Sequence, residues 1–252
     1  YAGESYLDSP MELNIWRAPT DNDMYIKQEW KRACYDQTYV RAYRTKVRQT
    51  ISYIEISSVM SMSAPAVQRI MDIEAVWRID ENGGLNFTAV VKRNVEFPML
   101  PRFGIRLFLN SKLESVSYYG MGPSESYIDK QRASSHGLYH AKPADLHEDY
   151  IRPQENGSHT DCDYVIVSGD KAGLAAASGK TFSFNASVYT QEELEKKAHN
   201  YELEPCGSTV LCLDYAQSGI GSNSCGPVLE KKYRLDMQMF TFHIKLVPFL
   251  QN

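Results

Sequence analysis

The sequence predicts an all-β protein: two antiparallel sheets stacked as a sandwich, with one or two short helices. Three observations carry this. Between residues 38 and 110, apolar and polar residues alternate with period two in run after run. Two of those runs, RIMDIEAVWRID and LNFTAVVKRNV, flank Glu81-Asn82-Gly83-Gly84, a strong hairpin signal. The chain also carries 17 Tyr and 9 Phe, residue types that favour strands.

The 252 residues fit one large β domain or two average ones, and a hydrophobic content of 43% supplies a full core. No internal repeat, low-complexity tract or Ser/Gly linker divides the chain, so a single domain over residues 1–252 is expected. A net charge of −4 argues against nucleic acid or an anionic membrane surface as partner, and no apolar run is long enough to span a bilayer. The opening YAGESYLDSPMELNIW has no basic segment followed by an apolar one, so no signal peptide is read there. Met11, Leu13 and Ile15 alternate like half of a hairpin, which suggests a piece of a longer chain. Cys34, Cys162, Cys206, Cys212 and Cys225 show no zinc-type spacing and are expected to be mostly reduced and buried; they leave the compartment open.

In chain order, WRAPTDND comes first. Pro19 interrupts regular structure, and Asp21, Asn22 and Asp23 favour a turn or a helix cap. Residues 24–35 follow as a short helix, with Ile26, Trp30 and Ala33 on one face and Asp23 as its cap. The same three polar side chains could hold a sugar hydroxyl or a cation. ISYIEISSVMSMS is a strand. In the hairpin, Met71, Ile73, Ala75, Trp77 and Ile79 face one way, as do Leu85, Phe87, Ala89 and Val91 on the partner strand. PRFGIRLFLN is another strand; Arg102, Gly104 and Arg106 share its second face, which is therefore polar and expected to border a groove.

Residues 118–163 form the most unusual stretch, rich in turn formers and polar groups between strand-like flanks. Gly120, Gly122 and Pro123 turn the chain at its start. It reads as a long ordered loop, either functional or a solvated crossover. After it, DYVIVS, GLAAAS and TFSFNASVY are strands. Thr190 and Glu193 make a capping box ahead of a short surface helix. STVLCLDYAQSGIG is a strand ending in glycines, and residues 222–227 form a loop. The last strand buries Phe240, Phe242, Ile244 and Leu246, with His243 on its solvated face.

No nucleophile elbow, P-loop, dinucleotide fingerprint or HExxH is present. His136 and His140 have metal-pair spacing only on a helix, and Gly137 and Pro143 argue against one. Glu148, Asp149, Glu155 and Asp161 are candidate carboxylates. Glycoside hydrolysis needs two carboxyls about 5–10 Å apart, which no spacing here demands. Tyr118, Tyr119, Tyr127, Tyr150 and Asn156 could meet a sugar or pack between sheets.

The ordered set WRAPTDND, LPRFG, YYGMGPSESYIDK, RPQENGSHTD and GIGSNSCGP resembles the C-terminal domain of large bacterial β-galactosidases of glycoside hydrolase family 2, from Trp16 to Pro248. The resemblance implies a galactose-mutarotase-like β supersandwich at the C-terminal end of a multidomain chain. It implies that the catalytic acid and nucleophile are two glutamates of an upstream TIM barrel, so that no catalytic residue lies in this chain. Its partners would be that barrel and a β-galactoside or oligosaccharide substrate, with room for a homo-oligomer. It implies no cofactor in this domain; Mg and Na of the parent enzymes bind elsewhere. The parent would be cytoplasmic or periplasmic in a bacterium. The resemblance also implies that residues 24–27 border the active site and that Asp21, Asn22, Asp23, Asn223 and Cys225 line the substrate cleft, exposed at one rim. Cys225 stands where the family often has an aromatic residue. Gln154, Glu155, Asn156 and Gly157 would brace buried polar groups. Ser124-Glu125-Ser126 departs from the family's HEN or QEN, and His159 stands where Arg is usual. Two other readings remain open: a free-standing mutarotase-like epimerase drawing on His136, His147 and Glu155, and a carbohydrate-binding module with exposed aromatics on one face.

Overall fold

The computed structural model describes residues 1–221 and 224–251. Its twelve strands all pair antiparallel: β1 (Glu12–Asn14), β2 (Tyr39–Gln49), β3 (Tyr53–Ser63), β4 (Met71–Asp80), β5 (Leu85–Arg93), β6 (Arg102–Asn110), β7 (Ser115–Gly122), β8 (Ser135–Ala141), β9 (Ser158–Ser168), β10 (Ala172–Ser187), β11 (Ser208–Gln217) and β12 (Met239–Leu250). Helices α1 (Ile26–Arg32) and α2 (Gln191–Lys196) fall inside the two stretches where the sequence places helices.

The strands form one sheet ordered β1-β6-β11-β10-β12-β5-β4-β3-β2, which branches at β10 to carry β9, β7 and β8. In a flat sheet β6 and β12 would lie about 14 Å apart, three strand spacings. Yet the Phe103 ring on β6 lies 5.0 Å from Phe240 on β12. The sheet therefore folds over on itself, as twist and burial together demand, and its two layers meet in one core. Phe87, Phe103, Phe184, Phe242, Ile105 and Leu213 belong to that core.

The hairpin forms as its alternation requires. Met71, Ile73 and Ala75 are buried, Asp72 and Glu74 exposed, and residues 81–84 make the turn. The Asp80 carboxylate accepts from the Gly84 amide at 2.8 Å and closes it. The central stretch differs from the expectation of a continuous loop. It holds β8, paired with β7 from Val116↔Ala141 to Gly122↔Ser135. No residue of β8 is fully buried, so the strand lacks the apolar face by which a sequence announces one.

The second face of β6 departs further from its reading. Arg102 is fully buried beneath residues 154–157, and α2 covers Arg106, whose Nη1 donates to Gln191 Oε1 at 2.8 Å. The expected groove is plugged there. Helix α2 is accordingly not a surface element throughout, since Gln191 and Leu194 are buried. Of the expected capping box the Thr190 half is present: Thr190 Oγ1 accepts from the Glu193 amide at 3.1 Å, while Glu193 Oε1 accepts from the Glu204 amide at 3.0 Å. All five cysteines are free; Cys162 and Cys212 are buried, but Cys206 and Cys225 are exposed, against expectation.

Candidate functional site

Arg17, fully buried, ties the WRAPTDND segment to the far end of the chain. It grips the Asp23 carboxylate through Nη2 at 2.7 Å and Nε at 3.2 Å. It also donates to the carbonyls of Ser218 at 2.5 Å and Gly219 at 3.1 Å. Asp23 Oδ2 accepts from the Thr20 amide at 2.9 Å. Asp23 is therefore an inward brace of the turn, buried at 0% exposure, and does not stand open at a rim as expected. The cap position of α1 is Tyr25.

Asp21 and Asn22 do remain exposed. Asn22 Nδ2 donates to the Ile220 carbonyl at 3.0 Å, and Ser224 Oγ donates to Asn22 Oδ1 at 2.9 Å. The two segments, about two hundred residues apart, thus meet at one rim, with Cys225 exposed beside Ser224. Asn223 lies outside the described residues. Behind the rim, Gln154 Oε1 accepts from the Asp21 amide at 2.9 Å. Asp129 accepts from the amides of Ile220 at 3.0 Å and Gly221 at 2.7 Å, holding the glycine-rich turn. Nothing in the sequence sets Asp129 apart: an acid far along the chain from a glycine-rich turn declares its partner only once the chain is folded.

The QENG segment is a brace, as the resemblance implies. Glu155 accepts from Arg102 at 2.6 Å and from the Ala18 amide at 3.1 Å. Arg102 also donates to Asp214 at 2.5 Å and to Asn185 at 2.9 Å. Burial alone would lower the Arg102 pKa, but the Asp214 and Glu155 carboxylates outweigh it and hold the guanidinium well above its ordinary value. Burial raises the pKa of Glu155 and of Asp214, against the opposing pull of Arg102. Asn156 accepts from the Glu148 amide, and Gly157 donates its amide to Glu125 at 2.8 Å. Glu125 itself is buried and contacted by Lys130 Nζ and the Tyr150 hydroxyl.

The candidate histidines disperse. On β8 the four-residue spacing of His136 and His140 stretches to about 13 Å instead of closing a metal pair. His140 Nδ1 pairs with Ser117 Oγ at 2.7 Å and His136 Nε2 with the Asp161 carbonyl at 3.0 Å. His147 lies beside Asp149 and the Tyr189 ring. His136, His147 and Glu155 are thus engaged by three different sets of neighbours. Among the described residues no three His, Cys, Asp or Glu side chains group as a metal site. His159 is buried between Tyr118 and Phe184, with ring centroids 4.5 and 5.2 Å away. Burial lowers its pKa to about 4. Of the tyrosines, Tyr118 and Tyr127 pack inside, while Tyr119 is 40% exposed.

The chain is 42% identical to a β-galactosidase of Actinobacillus pleuropneumoniae over 246 residues, which are 98% of this chain and 24% of that protein. It is 39% identical to a β-galactosidase of Staphylococcus xylosus, over 93% of this chain and 24% of that protein. The chain thus spans about a quarter of the length of these relatives. A crystal structure of galactose 1-epimerase from Lactobacillus acidophilus NCFM aligns with a TM-score of 0.44 at 8% identity, over 82% of this chain and 66% of that one. The family model described as the β-galactosidase small chain matches residues 1–246, and the chain belongs to that family.

Proposed function

We propose that this chain is the cleft-walling C-terminal domain of a glycoside hydrolase family 2 β-galactosidase, which hydrolyses terminal β-D-galactosyl residues. The observation that carries this reading is the family match over residues 1–246, in a chain spanning about 24% of its β-galactosidase relatives. The remaining three quarters leave room for an upstream TIM barrel holding the two catalytic glutamates, and for the Mg and Na sites. A hydrolytic pair needs two carboxyls across the sugar. Among the described residues the buried acids serve other partners: Glu155 and Asp214 neutralise Arg102, Asp23 neutralises Arg17, and Glu125 meets Lys130.

The domain's part in the reaction is to shape the pocket. Asp21, Asn22, Asn223 and Cys225 would line the sugar cleft, and Asp23 would hold the turn that presents them. The Asn22 bridge to Ile220 and Ser224 supports this, because it fixes two distant loops as one polar edge. Amides and hydroxyls at such an edge orient sugar hydroxyls by hydrogen bonds.

The test is hydrolysis of a nitrophenyl β-galactoside. The 252-residue chain should show none above background, and the longer protein containing it should turn over. Turnover by the isolated chain that survives re-purification and disappears in Glu155→Gln would overturn the reading.

A further inference from the structure

The folded sheet stops short of closing on itself. Its two end strands are β1 and β2, each paired on one side only, with β6 and β3 respectively. Residues from both ends, 11–14 and 39–40, line one open cleft of about 460 Å³. Its apolar lining comes from both layers: Met11 and Leu13 on one side, Val40, Met60 and Trp77 on the other, none of them fully buried. The row Val47–Ile56–Trp77–Phe87 takes one residue from each of β2 to β5. Burial fades along it: Phe87 is 1% exposed, Trp77 and Ile56 are half-buried, and Val47 is 68% exposed. All eleven residues of β2 are exposed, the large Val40, Tyr43 and Val47 included. A core face that runs out to an open strand edge is a template for a further strand.

Three features select the occupant. The charges at the margin of the cleft already answer one another: Arg106 meets Glu12 at 2.7 Å and Glu192 at 2.9 Å, and Asp36 meets Lys31 at 2.8 Å. A small ionic ligand therefore finds no waiting counter-charge. The second feature is the other face of β2, where Arg41, Arg44, Lys46 and Arg48 stand in a strand that contains no acid. Pairing β2 with β2 of a second copy would set like charges opposite one another, which is destabilising. The third is where the chain enters. The Tyr1 ring lies against Gly83 in the β4–β5 turn, so close that a Cβ on Gly83 would meet it at 2.6 Å. At that same end Asp80 pairs with Tyr53, the first residue after the β2–β3 turn. Trp77 is three residues before Asp80 on β4, about 10 Å away along the strand. Whatever precedes Tyr1 thus starts at the mouth of the cleft.

We propose that the segment of the longer chain immediately before Tyr1 lies in this cleft as an extended strand and closes the seam between β1 and β2. The proposal rests on the reading above, in which an upstream part precedes this domain. A strand matched to β2 needs only about ten residues at ~3.3 Å each, and a short connection brings it back to Tyr1. Its inward side chains meet Val40, Met60 and Trp77, so alternate positions of the segment are apolar. The basic face of β2 stays in water, where its Arg and Lys side chains guard against pairing with other chains. The seam then joins this domain to the part before it through shared core.

The experiment is made on the longer protein. Val47→Cys, at a position exposed in this chain, carries a benzophenone maleimide, and the unsubstituted protein controls for labelling of the native cysteines. After irradiation, peptide mass spectrometry should find the Val47→Cys cross-link within about twenty-five residues before Tyr1, the length of one strand and its connection. Hydrogen exchange gives a second readout without any substitution. Peptides covering residues 39–49 should exchange at least about tenfold more slowly in the longer protein than in the 252-residue chain, while peptides of the buried β11 should not change. A cross-link to a more distant part of the longer protein, to a second copy or only within residues 1–252 overturns the proposal, as does fast exchange of residues 39–49 in the longer protein. Hydrolysis of the nitrophenyl β-galactoside is scored on the same sample. Turnover without the expected cross-link would sink only this proposal, and the cross-link without turnover would sink only the functional reading.

Discussion

The Arg102 guanidinium lies 2.6 Å from the Glu155 carboxylate and 2.5 Å from that of Asp214, all three groups essentially without solvent contact. One cation thus joins the LPRFG strand, the QENG segment and β11. Asn185 and Gln217 complete the cluster through their amides. Its geometry makes it a structural knot, because every charged oxygen in it already has a donor.

Removing the cation should therefore cost more than removing one anion. Arg102→Ala strands two buried carboxylates and is expected to destabilise the chain by about 3–5 kcal/mol, the usual cost of breaking a buried pair. Glu155→Gln keeps shape and leaves Arg102 with Asp214, so a loss of about 2 kcal/mol is expected. Urea unfolding of both variants checks the order. A Glu155→Gln loss as large as that of Arg102→Ala would show that the two acids do not share the charge.

The buried His159 should give the chain an acid-sensitive component. In the unfolded chain the imidazole protonates near its ordinary value of 6.5, whereas in the folded chain it stays neutral down to about 4. Its contribution is complete above pH 6.5, falls as pH drops through that window and is gone below about 4. The size is about 3 kcal/mol over the window. His147, also lowered by burial, acts in the same direction. Glu155 and Asp214, raised by burial, act in the opposite one. Comparing the chain with His159→Phe isolates the imidazole, since the other groups are common to both. The difference in unfolding free energy should shrink steadily as pH falls from 6.5 to 4; a constant difference would mean that the ring titrates normally.

These elements differ in how far the sequence discloses them. The β4–β5 hairpin was legible because the inward residues from Met71 to Ile79 and from Leu85 to Val91 are apolar, their outward neighbours other than Val76 and Val90 are polar, and Gly83 adopts a φ of +81 that its turn requires. Strand β8 was not, because a strand without a buried face carries no period. The polarity of Arg102 and Arg106 was legible, but its meaning was not. Alternation reports which side of a strand is polar and says nothing about what will cover it, and here the cover arrives from residues 154–157 and from α2. The same holds for Asp23, whose neighbours in sequence suggest an exposed turn while Arg17, six residues earlier, draws it inside.

Gly157 should tolerate no side chain. Its φ is +66, and an added Cβ would run into the Leu146 carbonyl, which belongs to the backbone and cannot swing away. Its amide also anchors Glu125 at 2.8 Å. Gly157→Ala is expected to lower stability by about 1–3 kcal/mol, visible as a lower Tm, whereas Gly179→Ala, where an added Cβ meets open space, should leave Tm within a degree or two. Equal effects at both positions would show that the 154–157 brace is looser than its hydrogen bonds suggest.

Cys225 offers the sharpest test of the proposed cleft. Its side chain is exposed, and the Ser224 hydroxyl approaches its Sγ at 3.8 Å. Nothing in the core depends on it, so Cys225→Trp should leave the Tm of the chain nearly unchanged. Exposure is what allows the large ring in, and the neighbouring Ser224 to Asn22 hydrogen bond holds the loop against the opposite segment. If the rim walls a sugar cleft in the longer protein, the indole adds a stacking surface where sugars arrive. Aromatic packing of that kind is worth about 0.5–1.5 kcal/mol, or a change of roughly two- to tenfold in KM with little change in kcat. The effect should depend on the leaving group and be larger for an aromatic aglycone than for a small alkyl one. A KM unchanged for both substrates would remove Cys225 from the cleft. A large fall in kcat would instead place this loop against the reacting atoms.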